Sequence, residues 1–334
     1  MAFITGTGVN QPSALLVNTL QSISQKLIYP KVADLVFSPS PTFSYLNQYA
    51  KKYNAGAEIV YPLLTTKITT RGSYWGDQLL PTSAIDALQP ADQVWRGYFQ
   101  AVTLPVMDIV IGRGGPVGLD LVKTYVQAAA GSMLDMLAEA CAGNSPFNSS
   151  TDLDSISSWV LSTTNTVAGI NRSTSTFWQP AANQSVGGHL SPTKLLPAYF
   201  LTTYGYDEPN LLILNNTDFA NFELQFTQNS NASASTTIIR ATDNFADTAP
   251  VQTSFRYHMR FKNAVVLADQ HFPAGTGYLL NTKYIWMIYN LGSYFRMTPW
   301  IMPSNQDVIT ARIHLICQLG CNRPLAQVAL TSIS

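Results

Sequence analysis

Charge is what this 334-residue chain has least of. Asp, Glu, Lys and Arg together make up 11% of it, against about 25% in ordinary soluble domains. The 19 basic and 19 acidic side chains cancel. With no basic tract or basic face, specific nucleic-acid recognition is not indicated, and counterion release gives little gain on DNA. Long apolar runs are also missing, so no membrane-spanning helix is expected. The opening MAFITGTGVNQPSALL has neither a basic n-region nor a long apolar core, and no secretory signal is expected from it. Cysteine is scarce: Cys141, Cys317 and Cys321 are odd in number and unevenly placed. They make no disulfide framework and suit a reducing compartment. The sequons at Asn148, Asn171, Asn183, Asn215 and Asn231 then read as chance in an Asn- and Ser-rich chain. Low charge without a membrane span leaves two readings. One is a merely neutral monomer. The other is a subunit whose surface is largely covered by further copies, because interface cores are depleted of charge.

The usual carriers of chemistry are thin as well. Gly112 to Gly118, GRGGPVG, precedes a helical pattern and resembles a nucleotide-binding turn, but Val117 stands where the dinucleotide spacing needs glycine. No Gly-Lys-Ser/Thr follows. His314 and Cys317 would point to opposite faces of a strand, so with Cys321 they read as core residues and not as metal ligands. His189, His258, His271 and His314 have no paired nucleophile motif. There is no Gly-X-Ser-X-Gly and no His-Glu-X-X-His. A triad scattered through the sequence remains open on residues alone. The expectation is no enzyme, no cofactor and no metal. Trp75, Trp95, Trp159, Trp178, Trp286 and Trp300 are dispersed and read as core or interface anchors.

What is present is organised around Ile109 to Asn144. Pro116 suits a first helical turn and Gly143-Asn144 is a stop signal. Between them Val122, Val126, Ala129, Met133, Leu137 and Ala140 form one apolar stripe at helical spacing. A helix from Pro116 to Ala142 would be roughly 40 Å long, about twice the ordinary length. We call it the spine helix. The second clear element is Ile309 to Leu319, where Ile309, Ala311, Ile313, Leu315, Cys317 and Leu319 alternate with a mixed face. That is a half-buried strand, and its apolar face is expected against the spine stripe, with the strand-like Gln100 to Ile111 beside it. Residues 145–290 then form an insertion, giving a discontinuous α+β architecture.

Elsewhere the pattern predicts an N-terminal arm over 1–55, with Leu16, Leu20, Ile23 and Leu27 on one face of a short helix and a second helix around Tyr45 to Lys52. In Gly56 to Leu80, Ile59, Tyr61 and Leu63 and then Thr66, Ile68 and Thr70 are strand-like around a turn at Arg71-Gly72-Ser73. This reads as a long hairpin with a polar tip, which needs a surface to lie on. Residues 81–95 carry two helix-start signals. Helices are expected at Leu153 to Leu161, Leu195 to Tyr204 and Thr217 to Phe226. Strands are expected at Leu211 to Leu214, Phe255 to Tyr257, Ala264 to Asp269 and Gly277 to Leu280, with a low-complexity loop at Asn229 to Ser235.

Five segments in order carry a resemblance. They are GAEIVYPLL with SYWGDQLLPTSAIDALQPADQVWRGYFQAVTLPVMDIVIGRG, then GINRSTSTFWQP (Gly169 to Pro180), EPNLLILNNTDFANFE, FKNAVVLADQHFPAGTGYLLNTKY and MTPWIMPSNQDVITARIHLICQLGCNRPLAQVALTSI. Over residues 35 to 333 the chain resembles the major capsid proteins of tailed bacteriophages. The resemblance implies the Hong Kong 97-like fold, an α+β architecture with four parts. They are an N-terminal arm (1–55), an extended β-hairpin loop (56–80), a peripheral domain holding the spine helix (81–144 and 291–334) and an axial domain (145–290). It implies hexamers and pentamers tiling an icosahedral shell around double-stranded DNA in a virion assembled in the bacterial host cytoplasm. The implied partners are other copies of the chain, a scaffolding protein and a portal during assembly, a decoration protein, and packaged DNA touched non-specifically. Asn171 departs from the Asp frequent in the family's signature. No motif licenses covalent crosslinking at Lys67 or Lys283. The residues expected to meet neighbouring subunits are Leu16 and Leu20 in the arm and Ile59, Tyr61, Leu63, Tyr74 and Trp75 in the loop. An encapsulin-like nanocompartment shell is the related alternative. An enzyme with an unrecognised site and a secreted glycan-binding domain are the remote ones.

Overall fold

The computed structural model describes residues 40–54, 56–80, 82, 86–107, 121–145, 151–228 and 259–334. The turn at 112–118, the first residues of the predicted spine helix, most of the arm with Leu16 and Leu20, the loop at 229–235 and the strand expected at 255–257 lie outside them. In chain order the helices are α1 (Pro41–Gln48), α2 (Leu121–Ala142), α3 (Ile156–Val160), α4 (Pro192–Thr202) and α5 (Asn216–Gln228). The strands are β1 (Lys51–Tyr53), β2 (Glu58–Leu64), β3 (Leu88–Val94), β4 (Arg96–Pro105), β5 (Thr166–Val167), β6 (Ile170–Asn171), β7 (Gln184–Gly188) and β8 (Leu211–Leu214). After these come β9 (Met259–Phe261), β10 (Ala264–Ala268), β11 (Gly277–Leu280), β12 (Ile285–Asn290), β13 (Arg296–Met297), β14 (Val308–Cys321) and β15 (Val328–Ile333). Helices and sheets are both substantial and the class is α+β, as the sequence indicates.

Two compact units are present. In the smaller one, Phe99–Met133 and Met297–Ile313, the apolar interior includes Val102, Leu104, Ala129, Met133, Ala311 and Ile313. Val106 N donates to Asp307 O, and Ile301 and Thr310 exchange both backbone hydrogen bonds at 2.9 Å.

The larger unit takes Ser38–Tyr98, Leu134–Arg296 and His314–Ser334. It contains a six-stranded sheet in the order β7-β15-β11-β8-β10-β9. LLIL of β8 is buried at every position, as a central strand must be. It runs parallel to β10 and antiparallel to β11. Leu195 and Tyr199 of α4 and Phe222 of α5 pack on this sheet with Leu212, Leu279 and Leu330. The last strand joins the same sheet: β15 pairs with β11 and β7. Residues 328–333, expected with the segment 291–334, thus pair with strands of 184–280. The end of α2 is as read from sequence. Gly143 adopts φ 85°, and Gly143 N and Asn144 N both donate to Glu139 O, a left-handed C-terminal cap. A Cβ at Gly143 would sit 2.1 Å from Ser157 Oγ, so with the left-handed backbone the position favours glycine. Ala129, Met133, Leu137 and Ala140 of the predicted stripe are buried. In β14, paired with β12 and β4, Ala311, Ile313, Leu315, Cys317 and Leu319 are buried as the alternation indicates. Burial and then the neighbouring Cys141 thiol raise the Cys317 thiol, which places the ends of α2 and β14 in one apolar interior.

Three local readings change. The helix expected at 45–52 starts earlier, because Ser40 accepts from Phe43 N and Pro41 occupies the first turn. Residues 51–53 form β1, parallel to β12. The helix starts expected in 81–95 give way, within 88–94, to β3, and the hairpin's second strand is this one and not residues 66–70. Pro90 explains the change. Inside a helix running on from the first of the two start signals it would remove a hydrogen bond and clash. Here it faces Pro62 across the ladder. Thr65 N donates to Ala87 O, so in this register the bonded pairs are the odd-numbered positions of β2. The amides of Pro62 and Pro90 would point away from each other, and two prolines cost the ladder nothing.

Candidate functional site: a hairpin fixed at its foot and apolar at its tip

The foot of the hairpin is built from the alternation in EIVYPLL. Ile59 (9% exposed) and Leu63 (8%) turn inward, and Ile59 packs with Tyr61, Trp95, Trp286 and Ile288. Tyr61 is half-buried, and its hydroxyl donates to Gln93 Oε1 at 3.0 Å. Gln93 Nε2 in turn donates to Asp154 Oδ2 at 2.5 Å and Leu319 O at 2.9 Å. Gln318 closes the circuit, accepting from Asp154 N and donating to Val94 O. Burial raises the Asp154 carboxyl above its usual range, against the opposing hydrogen bond from Gln93 and the charges of Arg96 and Arg172. Gly320 permits the approach: a Cβ there would lie 2.3 Å from Tyr61 Oη and 2.7 Å from Ile288 Cδ1.

The signature GINRSTSTFWQP buttresses this foot. Asp92 N, pointing outward from β3, donates to Ala168 O in the turn between β5 and β6. Arg172 is fully buried. Its Nη1 donates to Ser158 O, Ser162 O and Asn165 Oδ1, and its Nη2 to Trp159 O. Burial lowers its pKa to about 10, with Cys321 and Asp154 opposing. Trp178 donates to Val167 O and meets Trp159 edge-on at 5.6 Å. Asn171 Oδ1 accepts from Ser173 N, a bond an aspartate would also make, so the departure from the signature leaves the turn intact.

The tip differs in every respect. Residues 65–80 form no helix or strand. Tyr74 is 66% exposed and Trp75 86%. Ile68, Leu79 and Leu80 are exposed too. A Cβ added at Gly72 or Gly76 would meet nothing within 4 Å. The seven residues expected to meet neighbours are therefore divided. Tyr74 and Trp75 stand free, Ile59 and Leu63 are buried in their own chain, Tyr61 is half-buried, and Leu16 and Leu20 lie outside the described residues. Sequence reasoning missed Leu79 and Leu80, which the run QLLPT could have flagged as apolar residues before a proline.

Among the described residues, the nearest approach to a nucleophile arrangement is Ser40, Asp269, His271 and Asp135. Ser40 Oγ donates to Asp269 Oδ2, and both ring nitrogens of His271 face carboxylates. The histidine has no free lone pair to act as a base toward the serine. Cys141, Cys317 and Cys321 are buried thiols. Among the described residues no group of His, Cys, Asp and Glu has the make-up of a metal site, and no helix is long and apolar enough to cross a membrane.

No protein-family model matches the chain, and no curated protein matches its sequence. Solved structures do. The capsid asymmetric unit of cyanophage A-1(L) superimposes with a TM-score of 0.67 at 13% identity, covering 93% of this chain and 98% of the other. The chain has the phage-capsid, Hong Kong 97-like fold. An encapsulin of Synechococcus elongatus follows at TM-score 0.59 and 11% identity, covering 95% of each chain. The capsid of an empty GTA particle gives 0.60 at 9% identity, covering 94% of this chain and 96% of the other. The alignments cover 93–95% of this chain and 95–98% of the others, so the likeness is to the whole fold and not to one part of it.

Proposed function

We propose that this chain is a structural shell subunit that self-associates into hexamers and pentamers and closes an icosahedral shell around a phage double-stranded DNA genome. The observation that carries the reading is the hairpin: a foot locked by buried hydrogen bonds and a tip that offers Tyr74, Trp75, Leu79 and Leu80 to solvent. Apolar surface of this kind is covered in a working protein, and the covering surface is another copy. The low charge supports the same reading, as do the capsid neighbours of the fold. Ring-closing heterologous contacts would be made by the loop 56–80 and the arm 1–55 with Leu16 and Leu20. Ile59, Tyr61 and Leu63 would act from inside, setting where the tip points. The peripheral (81–144 and 291–334) and axial (145–290) parts form the tile itself. Obligate contacts of this type bury about 2,000 Å² or more. The reading gives the chain no catalytic role. Its location is the virion capsid, assembled in the host cytoplasm with a scaffolding protein and a portal, and a decoration protein is a further partner. DNA contact is non-specific.

A nanocompartment shell is the second reading, favoured by the encapsulin neighbour. The test is the size and content of the particles. Light scattering of the purified protein is expected to give megadalton particles, and nuclease-protected DNA in particles from a producing host identifies a virion shell. A packaged enzyme in place of DNA selects the nanocompartment. A small monodisperse oligomer overturns both.

A further inference from the structure

The fold's interior holds a charged cluster that the shell reading does not use. Asp269 follows β10 and is 1% exposed. Its Oδ2 accepts from Ser40 Oγ at 2.5 Å and Thr42 N at 3.4 Å, at the start of α1. Its Oδ1 accepts from His271 N at 3.1 Å and lies 2.7 Å from His271 Nδ1. The other ring nitrogen, Nε2, lies 3.0 Å from Asp135 Oδ1 on α2. His271 itself is buried. An ionised carboxylate only accepts, and a neutral imidazole has one N–H. Both contacts are hydrogen bonds only when the ring carries two protons. With both carboxyls ionised, this geometry makes His271 a histidinium held between carboxylates of two different elements. The groups facing it are Asp269 after β10, and Asp135 and Glu139 on α2, where burial, the Asp135 charge and the opposing His271 charge act together on Glu139. From α1 it meets only neutral groups, through Asp269.

We propose that Asp135, His271 and Asp269 form a proton-operated clasp that joins the C-terminal half of α2 and the cap of α1 to the end of β10, and that lets go of α2 when His271 loses its proton. Deprotonation leaves the ring one N–H for two carboxylates: Asp269, with no exposed side-chain surface, depends on it, whereas the Asp135 side chain keeps 35% of its surface exposed and can take water in its place, so the α2 arm is the one released. The hydrogen bond that His271 donates to Asp269, opposed by burial and aided by Asp135, raises His271 from 6.5 to about 9. A raised histidine pKa means that its stabilisation is complete below the unfolded value and is lost as pH climbs from about 6.5 through about 9. Burial pushes the Asp269 carboxyl up, but the bonds from His271, Ser40 and Thr42 outweigh it and hold the carboxyl below its usual range. On the acid side the Asp269 arm therefore holds until the pH falls below the ordinary carboxylate range.

Hydrogen exchange of the purified full chain, corrected for the intrinsic pH dependence of amide exchange, tests the clasp. Protection of residues 134–142 is expected to fall between about tenfold and a hundredfold from pH 6.5 to 9.5. His271→Gln should show low protection throughout and no such step. Asp135→Asn separates the two arms: it should loosen 134–142 at neutral pH while leaving 41–48 protected through Asp269. A step of equal size in His271→Gln, or protection of 134–142 in the wild type that does not change over this range, overturns the proposal. So does loss of protection at 41–48 in Asp135→Asn equal to that at 134–142. If His271→Gln does not fold, Asp135→Asn and the wild-type pH profile still decide it.

Discussion

The foot and the tip of the extended hairpin are a few residues apart and obey different physics. At the foot, Ile59, Leu63, Gln93 and Gly320 are surrounded by their own chain, and hydrogen bonds run from Tyr61 through Gln93 to Asp154. At the tip, Tyr74 and Trp75 are as apolar as the foot and touch almost nothing. Hydrophobic character is therefore buried in the fold in one place and left exposed in the other, where the proposed shell contact would cover it. Stability and assembly should respond to mutation in opposite ways at the two ends.

The largest effect is expected at the tip. Tyr74→Asp with Trp75→Asp should cut particle yield by an order of magnitude or more, since a charge desolvated in an interface is strongly unfavourable. The thermal midpoint of the unassembled chain should hardly change, because exposed substitutions stay within about 0.5 kcal/mol. Normal particles under the electron microscope would break the comparison. Leu63→Ala should do the reverse and lower unfolding stability by about 2–4 kcal/mol in denaturant titration. Gly320→Ala is expected to cost about 1–3 kcal/mol by overpacking. Tyr61→Phe should recover part of that loss, since it removes the nearest clashing atom, and a double-mutant cycle with no coupling would disprove the contact. The smallest effect sharpens the picture. Pro62→Ala lies where the amide points out of the ladder, so stability should drop by no more than about 1 kcal/mol, through the unfolded chain. A greater loss would mean that the register assigned to the hairpin is wrong.

Elements with local signals are legible in the sequence. Gly143 terminates α2 by a cap in left-handed backbone, which favours glycine, and a side chain there would crowd Ser157. β14 shows its buried face through alternation, and LLIL of β8 through an unbroken apolar run. Where burial falls on both faces the alternation vanishes, and β12 and much of β15 carry no readable pattern for that reason. The strand β2 is visible in the sequence, but its partner is not. A ladder pairing Tyr61 with Ala91 is set by residues far along the chain, and the Pro90 segment locally imitates a helix start.

The candidate site divides along the same line. Tyr74 and Trp75 can be named from sequence because a loop with exposed aromatics needs only local chemistry to recognise. That Ile59 packs within its own chain depends on Trp286 and Ile288, more than 200 positions away. Arg172 can be placed in a signature, yet its cage of carbonyls exists only once residues 158–165 fold around it. His271 is one histidine among four without a motif, and Asp135 reaches it across 136 positions. The sequence by itself determined where helices stop, which strand faces are apolar and how little charge the surface carries, because propensity, capping and alternation act between near neighbours. Only the tertiary structure decided which apolar residues are consumed inside the chain and which buried charges meet, because those outcomes follow from contacts between segments that local rules do not connect.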